Sequence, residues 1–287
     1  MFFFLQGQTI RAGTKVIIHW STELIVGMAY VMLGRSESIG DIFITGEFSV
    51  EQIKCDLDAL AESNRLEELF NDTVKEEREK SCKCWKISFL NVRSMKSSDG
   101  HRKDVAADNL LMDSDLFGLG ETWLEEDNKV DYPGFFSHFA NFGKGKGLAG
   151  YNKIDVIEEP KTVTSETYST MLFKTTHFHI IFLYLSSNCK KAEVISLLDI
   201  WIQKDTPTAI IGDINENLVK LKKITFSKQM ASRGFEQLIK EPTCETGSLI
   251  DHVYVNNAMK AQGISTKIDG AYYSDHDIVS LWIPKSE

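Results

Sequence analysis

A chain of 287 residues with 43% hydrophobic and 25% charged residues, 5 Pro and 19 Gly can bury a core, which excludes collagen-like, low-complexity and wholly disordered classes. Its net charge of -9 speaks against a passive nucleic-acid coat, which needs a concentrated basic surface, but does not exclude a nuclease, whose carboxylates can hold a divalent cation. The 5 cysteines are scattered and no apolar run approaches the roughly 20 residues of a spanning helix, so we expect reduced thiols, a nuclear or cytoplasmic protein, no secretion signal and no membrane partner.

In chain order, Lys15–His19, Ala29–Leu33 and Asp41–Thr45 read as short strands, and Ser49 can cap a helix over Val50–Leu60. From about Glu62 to Cys84 the chain becomes Glu-, Lys- and Arg-rich, which predicts a helix running into a solvated linker. Three parts follow: residues 1–66, a linker at 67–84, and a main domain at 85–287. In the main domain, strands are predicted at Trp85–Val92, Leu116–Glu121, Leu148–Asn152, Thr170–Lys174, His179–Tyr184, Thr208–Asp213, Ile250–Val255 and Val279–Ile283. Helices are predicted at Arg102–Met112, Lys190–Lys204 and Phe226–Arg233, and Gly143–Gly150 as a hairpin turn. Strands and helices mixed in this way predict an α/β fold, a two-sheet sandwich flanked by helices, with a short α/β N-terminal extension.

Apolar strands repeatedly end on a polar group. Phe89-Leu90 runs into Asn91, Leu116–Gly120 into Glu121, and Ala209–Gly212 into Asp213 with Asn215 two residues on. Ser248–Ile250 leads into Asp251-His252, and Tyr272–Ser274 into Asp275-His276. A lone Asp at a strand end is usually a turn-former, and His252 alone reads as a partly exposed structural histidine. Five strands each delivering a carboxylate, amide or imidazole predict a metal and acid/base site, because sheet ends converge in space.

Residues 85–284 resemble the endonuclease/exonuclease/phosphatase superfamily, in particular the apurinic-like endonucleases of LINE-type retrotransposons and Helitron-like transposons. The matching pieces are Phe89–Ser94 (FLNVRS), Gly118–Leu124 (GLGETWL), Tyr184, Gly212–Glu216 (GDINE), Gly234–Asn256 and Tyr272–Val279 (YYSDHDIV). The resemblance implies a two-sheet sandwich with Glu121, Asn91 and Asp275 as metal ligands for Mg²⁺ or Mn²⁺. It implies that Asp213 and Asn215 activate water, that Asp251 orients His276 at the scissile phosphate, and that Tyr184 donates to the developing phosphorane. The chain departs from its relatives after Tyr184, where Leu185-Ser186-Ser187-Asn188 replaces their usual prolines. A PAWCDR-type segment of inositol phosphatases is replaced by Gly247–His252, so the implied substrate is DNA.

Residues 24–66 resemble the C-terminal end of the helicases of Helitron-like transposons, with Arg35 at the position of a phosphate-contacting arginine. No GxxxxGK[ST] is present, so helicase activity and a nucleotide cofactor are not expected. The order of parts suits a fragment of a transposon polyprotein. Two functions follow: a Mg²⁺-dependent DNA endonuclease, or a decayed transposon fragment that binds DNA or a partner without cutting.

Overall fold

Along His179–Leu185 every residue is buried, yet successive side chains enter different cores, as the period of two in a strand requires. Ile180 and Phe182 face one hydrophobic cluster, while Ile181, Leu183 and Leu185 face another. A strand covered on both faces belongs to the middle of a layered structure, and the computed structural model shows those layers. It describes residues 83–96, 101–220 and 225–285, together with the strands Val16–His19 and Ile42–Thr45 and residue Arg65.

The chain divides into two compact units, Met1–Arg78 and Glu79–Glu287. In the first, β1 (Val16–His19) and β2 (Ile42–Thr45) pair in parallel, with Val16 opposite Ile42. The predicted strand Ala29–Leu33, the predicted helix Val50–Leu60, Arg35 and most of the charged run at 67–84 lie outside the described residues.

The second unit is built on two six-stranded sheets. One contains β3 (Cys84–Asn91), β4 (Leu116–Gly120), β5 (Phe136–Ala140), β6 (Leu148–Asn152), β13 (Ser265–Asp269) and β14 (Ile278–Pro284), in the order β13-β14-β3-β4-β6-β5. The other contains β7 (Lys161–Thr164), β8 (Tyr168–Lys174), β9 (His179–Leu185), β10 (Thr208–Asp213), β11 (Phe235–Gln237) and β12 (Asp251–Asn256), in the order β11-β12-β10-β9-β8-β7. Inward residues of both sheets share the central core: Ile87, Phe89 and Leu281 from one, Phe173, Phe182 and Ile211 from the other. This is a face-to-face sandwich.

Helices cover the outer faces. α1 (Arg102–Ala107) and α2 (Asn109–Met112) bring Val105 and Leu111 against Leu90, Phe117 and Tyr151. α3 (Lys191–Trp201) and α4 (Phe226–Ser232) bring Val194, Leu198, Phe226 and Met230 against Ile181, Leu183 and Ile210. The short α5 (Asn257–Lys260) starts directly after β12. The single helix predicted over Arg102–Met112 is two, because the Asp108 carboxylate accepts from the Leu110 N–H and opens a new helix in mid-segment. Among the described residues no helix is long and apolar enough to cross a membrane.

Two glycines facing each other across β4 and β6 decide how closely the sheets approach. Gly118 pairs with Gly150 in register. A Cβ on Gly118 would lie 2.8 Å from the Phe182 ring, and one on Gly150 would lie 2.6 Å from the Phe173 ring. Aromatic rings from the opposite sheet occupy the space that side chains would fill.

Candidate active site

Strand direction and register bring the site together. β3 and β4 run parallel, with Asn91 opposite Gly120, so Asn91 and the following Glu121 emerge at one end of their sheet. β9 and β10 run parallel, and β10 is antiparallel to β12, so Asp213 lies opposite both Tyr184 and Asp251. His276 precedes β14, whose Val279 pairs with Phe89 near the same end of β3. The convergence expected from strand ends is therefore a consequence of pairing.

Local backbone geometry turns these side chains inward. Gly212 approaches β9 so closely that a Cβ there would sit 1.8 Å from the Leu183 carbonyl oxygen, which explains a glycine before Asp213. Glu121 and Asn215 both adopt left-handed backbone, with φ of 49° each, and Arg93 and Trp123 do so at 52° and 54°. For residues other than Gly, Asn or Asp this conformation costs about 1–2 kcal/mol, and such outliers gather where surrounding contacts hold them. At Glu121 the holding contacts come from the glycine-rich turn between β5 and β6. The Trp123 N–H donates to the Lys146 carbonyl at 2.9 Å, and the Gly145 carbonyl accepts from the Tyr184 hydroxyl at 3.1 Å.

A single hydrogen-bonded network joins the predicted residues. Asn91 Nδ2 donates to Asp213 Oδ2 at 2.9 Å and to Glu121 Oε1 at 3.3 Å. The Tyr184 hydroxyl donates to Glu121 Oε1 at 3.0 Å, and Trp123 Nε1 to Glu121 Oε2 at 3.3 Å. The Asn215 backbone N–H donates to Asp213 Oδ1 at 2.9 Å, while its side-chain amide donates to the Leu185 carbonyl at 2.9 Å. His276 Nδ1 meets Asp251 Oδ2 at 2.9 Å. One ligand atom each of Asp213, Asp251 and His276 lies within 4.8 Å of the other two. Asp275 stands at the rim, where Arg93 Nη1 reaches its Oδ2 at 2.5 Å.

Burial makes these charges strongly interdependent. Asp213 is 1% exposed, and burial first, then the neighbouring Asp251 charge, raises its pKa despite hydrogen bonds from Asn91 and Asn215. Burial alone would lower the pKa of His276, but the charge and hydrogen bond of Asp251, with Asp213 beyond, raise it to about 10. Burial first, and then Glu121, raises Tyr184 far above the ordinary phenol range, so it is a neutral donor.

Glu121, Asp213 and Asp275 are hard carboxylates, and Asp275 Oδ1 is buried with no hydrogen-bond partner; Asn91 turns its Nδ2 to Glu121 and Asp213, while its Oδ1 accepts from the Arg93 N–H at 3.1 Å. Carboxylates such as Glu121 suit a Mg²⁺ or Mn²⁺ ion, which takes one or two of them and keeps several waters.

The sequence reading misses several contributors. Thr243, fully buried, donates from Oγ1 to Asp251 Oδ2 at 2.8 Å and accepts from the Asp251 N–H at 3.1 Å. Ser274 donates from Oγ to the Asn91 carbonyl at 2.7 Å and accepts from the His276 N–H at 3.2 Å. Glu216 accepts from the N–H groups of Thr225, Phe226 and Ser227 and pairs with Lys191, tying the segment after Asn215 to α4. Thr and Ser in loop segments look like ordinary turn residues, so no sequence signal separates them. His252 is fully buried rather than partly exposed. Its Nδ1 meets the Tyr254 hydroxyl at 2.9 Å, and burial lowers its pKa to about 4.

No known family profile matches this sequence, and no curated protein matches it. Solved structures do. The endonuclease domain of TRAS1, a telomere-specific non-LTR retrotransposon, superposes with a TM-score of 0.51 at 13% identity, covering 70% of this chain and 98% of that one. The 3'-5' exonuclease NExo from Neisseria meningitidis gives 0.56 at 15% identity over 70% of this chain and 100% of its own. An endonuclease/exonuclease/phosphatase family protein from Leptotrichia buccalis gives 0.50 at 13% identity, with 70% and 100% covered. The chain has the two-sheet sandwich fold of that superfamily.

Proposed function

We propose that the unit Glu79–Glu287 is a metal-dependent phosphodiesterase that nicks DNA. The observation that supports this most is the continuous network from Glu121 through Asn91 to Asp213, with the buried Asp213–Asp251–His276 cluster beside it. Phosphodiesters resist attack because their negative charge repels the nucleophile, so a hydrolytic site needs cationic and hydrogen-bonding groups around the phosphate and a base for the water. A bound Mg²⁺ or Mn²⁺ would supply charge neutralisation at the phosphate, held by Glu121, with oxygens of Asn91 and Asp275 as the further ligands proposed.

The chain's own residues supply the rest. Asp213, whose Oδ1 is held by the Asn215 N–H, accepts the proton of the attacking water at Oδ2, and its raised pKa suits it to that task. Asn215 positions the water. Asp251 holds Nδ1 of the imidazolium of His276, leaving Nε2–H to donate to a phosphate oxygen. Tyr184 donates to Glu121 Oε1 and would donate to the phosphorane once a substrate displaces that contact.

A DNA substrate and a transposable-element origin rest on the likeness to a retrotransposon endonuclease domain and on the helicase-like residues 24–66. In the test, the full chain is incubated with supercoiled plasmid in Mg²⁺, then in EDTA, then with Mg²⁺ restored. Nicking that appears, stops and returns is expected. Binding of plasmid without any nicking would favour a decayed, non-cutting protein instead.

A further inference from the structure

Cys244 introduces a soft donor into a site otherwise made of oxygen and nitrogen. It is 8% exposed, carries a free thiol, and lies in an isolated antiparallel bridge with His276. One ligand atom each of Cys244, Asp275 and His276 lies within 4.8 Å of the other two. Thiolate, imidazole and carboxylate together match the preference of a borderline-soft cation such as Zn²⁺, not of Mg²⁺. Tetrahedral zinc, with ligands at ~2.0–2.3 Å, would require these atoms to draw in by about 1 Å.

Two independent features prepare this trio for a ligand. Asp275 Oδ1 is buried with no hydrogen-bond partner, while its Oδ2 is occupied by Arg93. His276 Nδ1 is held by Asp251 Oδ2, itself fixed by Thr243. A carboxylate behind an imidazole sets the orientation of a metal-binding histidine and leaves Nε2 for the metal.

We infer that Cys244, Asp275 and His276 form an inhibitory site for a thiophilic divalent cation, Zn²⁺ being the best match. Coordination sends two protons to solvent, one from the Cys244 thiol and one from Nε2 of the His276 imidazolium, and no atom changes oxidation state. Three protein ligands leave one position for water. Binding takes His276 away from the phosphate and commits Asp275 Oδ1 to the inhibitory cation, so it switches off the activity proposed above. The inhibitory consequence rests on that proposal; the metal site itself does not.

The probe is Co²⁺, added to the reduced full chain, because a cysteine ligand to Co²⁺ gives a thiolate-to-metal charge-transfer band. We expect the band in the wild-type chain, its displacement by Zn²⁺, and its loss in Cys244→Ser. It should persist in the Cys82→Ser/Cys84→Ser double variant, which removes the other closely spaced thiols. Asp275→Asn, a second variant, should weaken Co²⁺ binding by ~10-fold or more. In Mg²⁺-supported nicking, Zn²⁺ should inhibit the wild-type chain at ~10-fold or more lower concentration than Cys244→Ser. No band in the wild-type chain, a band retained in Cys244→Ser, or one lost in the double variant overturns the site. A chain that shows the band but never nicks retains the metal site and overturns the hydrolase proposal.

Discussion

At the scale of single residues, the proposed mechanism makes Asp251 and His276 one group. Asp251 Oδ2 is hydrogen-bonded to His276 Nδ1 at 2.9 Å, which links it to the phosphate in the proposed mechanism. Removing the imidazole should therefore slow nicking by ~10²–10⁴-fold. The Asp251→Ala/His276→Ala double variant should be no slower than His276→Ala beyond a small factor, because residues acting as a unit are not additive. Single-turnover nicking rates of the three variants check this, and fully multiplicative losses would separate the two roles. His252, one residue on, has a different part. Its pKa is lowered to about 4 by burial, so the folded state binds a proton less readily than the unfolded chain, where a histidine titrates near 6.5. The stability it contributes is fully present above about 6.5 and is lost as pH falls toward about 4, by as much as ~3 kcal/mol. Urea unfolding at pH 7.5 and pH 4.5 should show a larger loss for the wild-type chain than for His252→Gln, whose amide does not titrate. Equal losses would show that His252 titrates normally.

At the scale of elements, buried polar strand ends were legible because apolar runs such as Leu116–Gly120 and Ala209–Gly212 lead into a carboxylate without interruption. The strands that the sequence pattern does not mark, β5, β7, β11 and β13, are short or half exposed, so they lack the apolar alternation that identifies a strand. All four lie at or beside sheet edges, where one side is open and the hydrophobic pattern is weakest. Glu121 was legible as a residue type but not as a geometry, since nothing local in Gly-Glu-Thr-Trp announces left-handed backbone at Glu121 and Trp123. Gly118 and Gly150 show the converse: each reads as a weak point in a strand, yet both make room for an aromatic ring of the other sheet. Gly150→Ala should destabilise the unit by about 1–3 kcal/mol through overpacking against Phe173. Adding Phe173→Leu, which removes the far end of that ring, should cost less than the sum of the two single changes. Additive losses in denaturant melts would show that the ring and the glycine are uncoupled.

At the scale of the whole molecule, every residue of the network lies between Asn91 and His276, within the compact unit Glu79–Glu287, which also contains the three hydrophobic clusters found among the described residues. We propose that residues 1–78 are dispensable for cleavage, since none of the proposed catalytic roles falls on them. A chain beginning at Glu79 should fold and nick at a rate within a small factor of the full chain's, and loss of folding or activity would place the boundary wrongly. We propose that strand ends from two sheets assemble a metal-assisted hydrolytic site around Glu121. Its most direct test is the plasmid nicking rate of Glu121→Gln in saturating Mg²⁺, with circular dichroism confirming that the variant folds. The substitution keeps the shape and removes the charge that would hold the cation, so the rate should fall by at least ~10²-fold. An unchanged nicking rate would contradict the account.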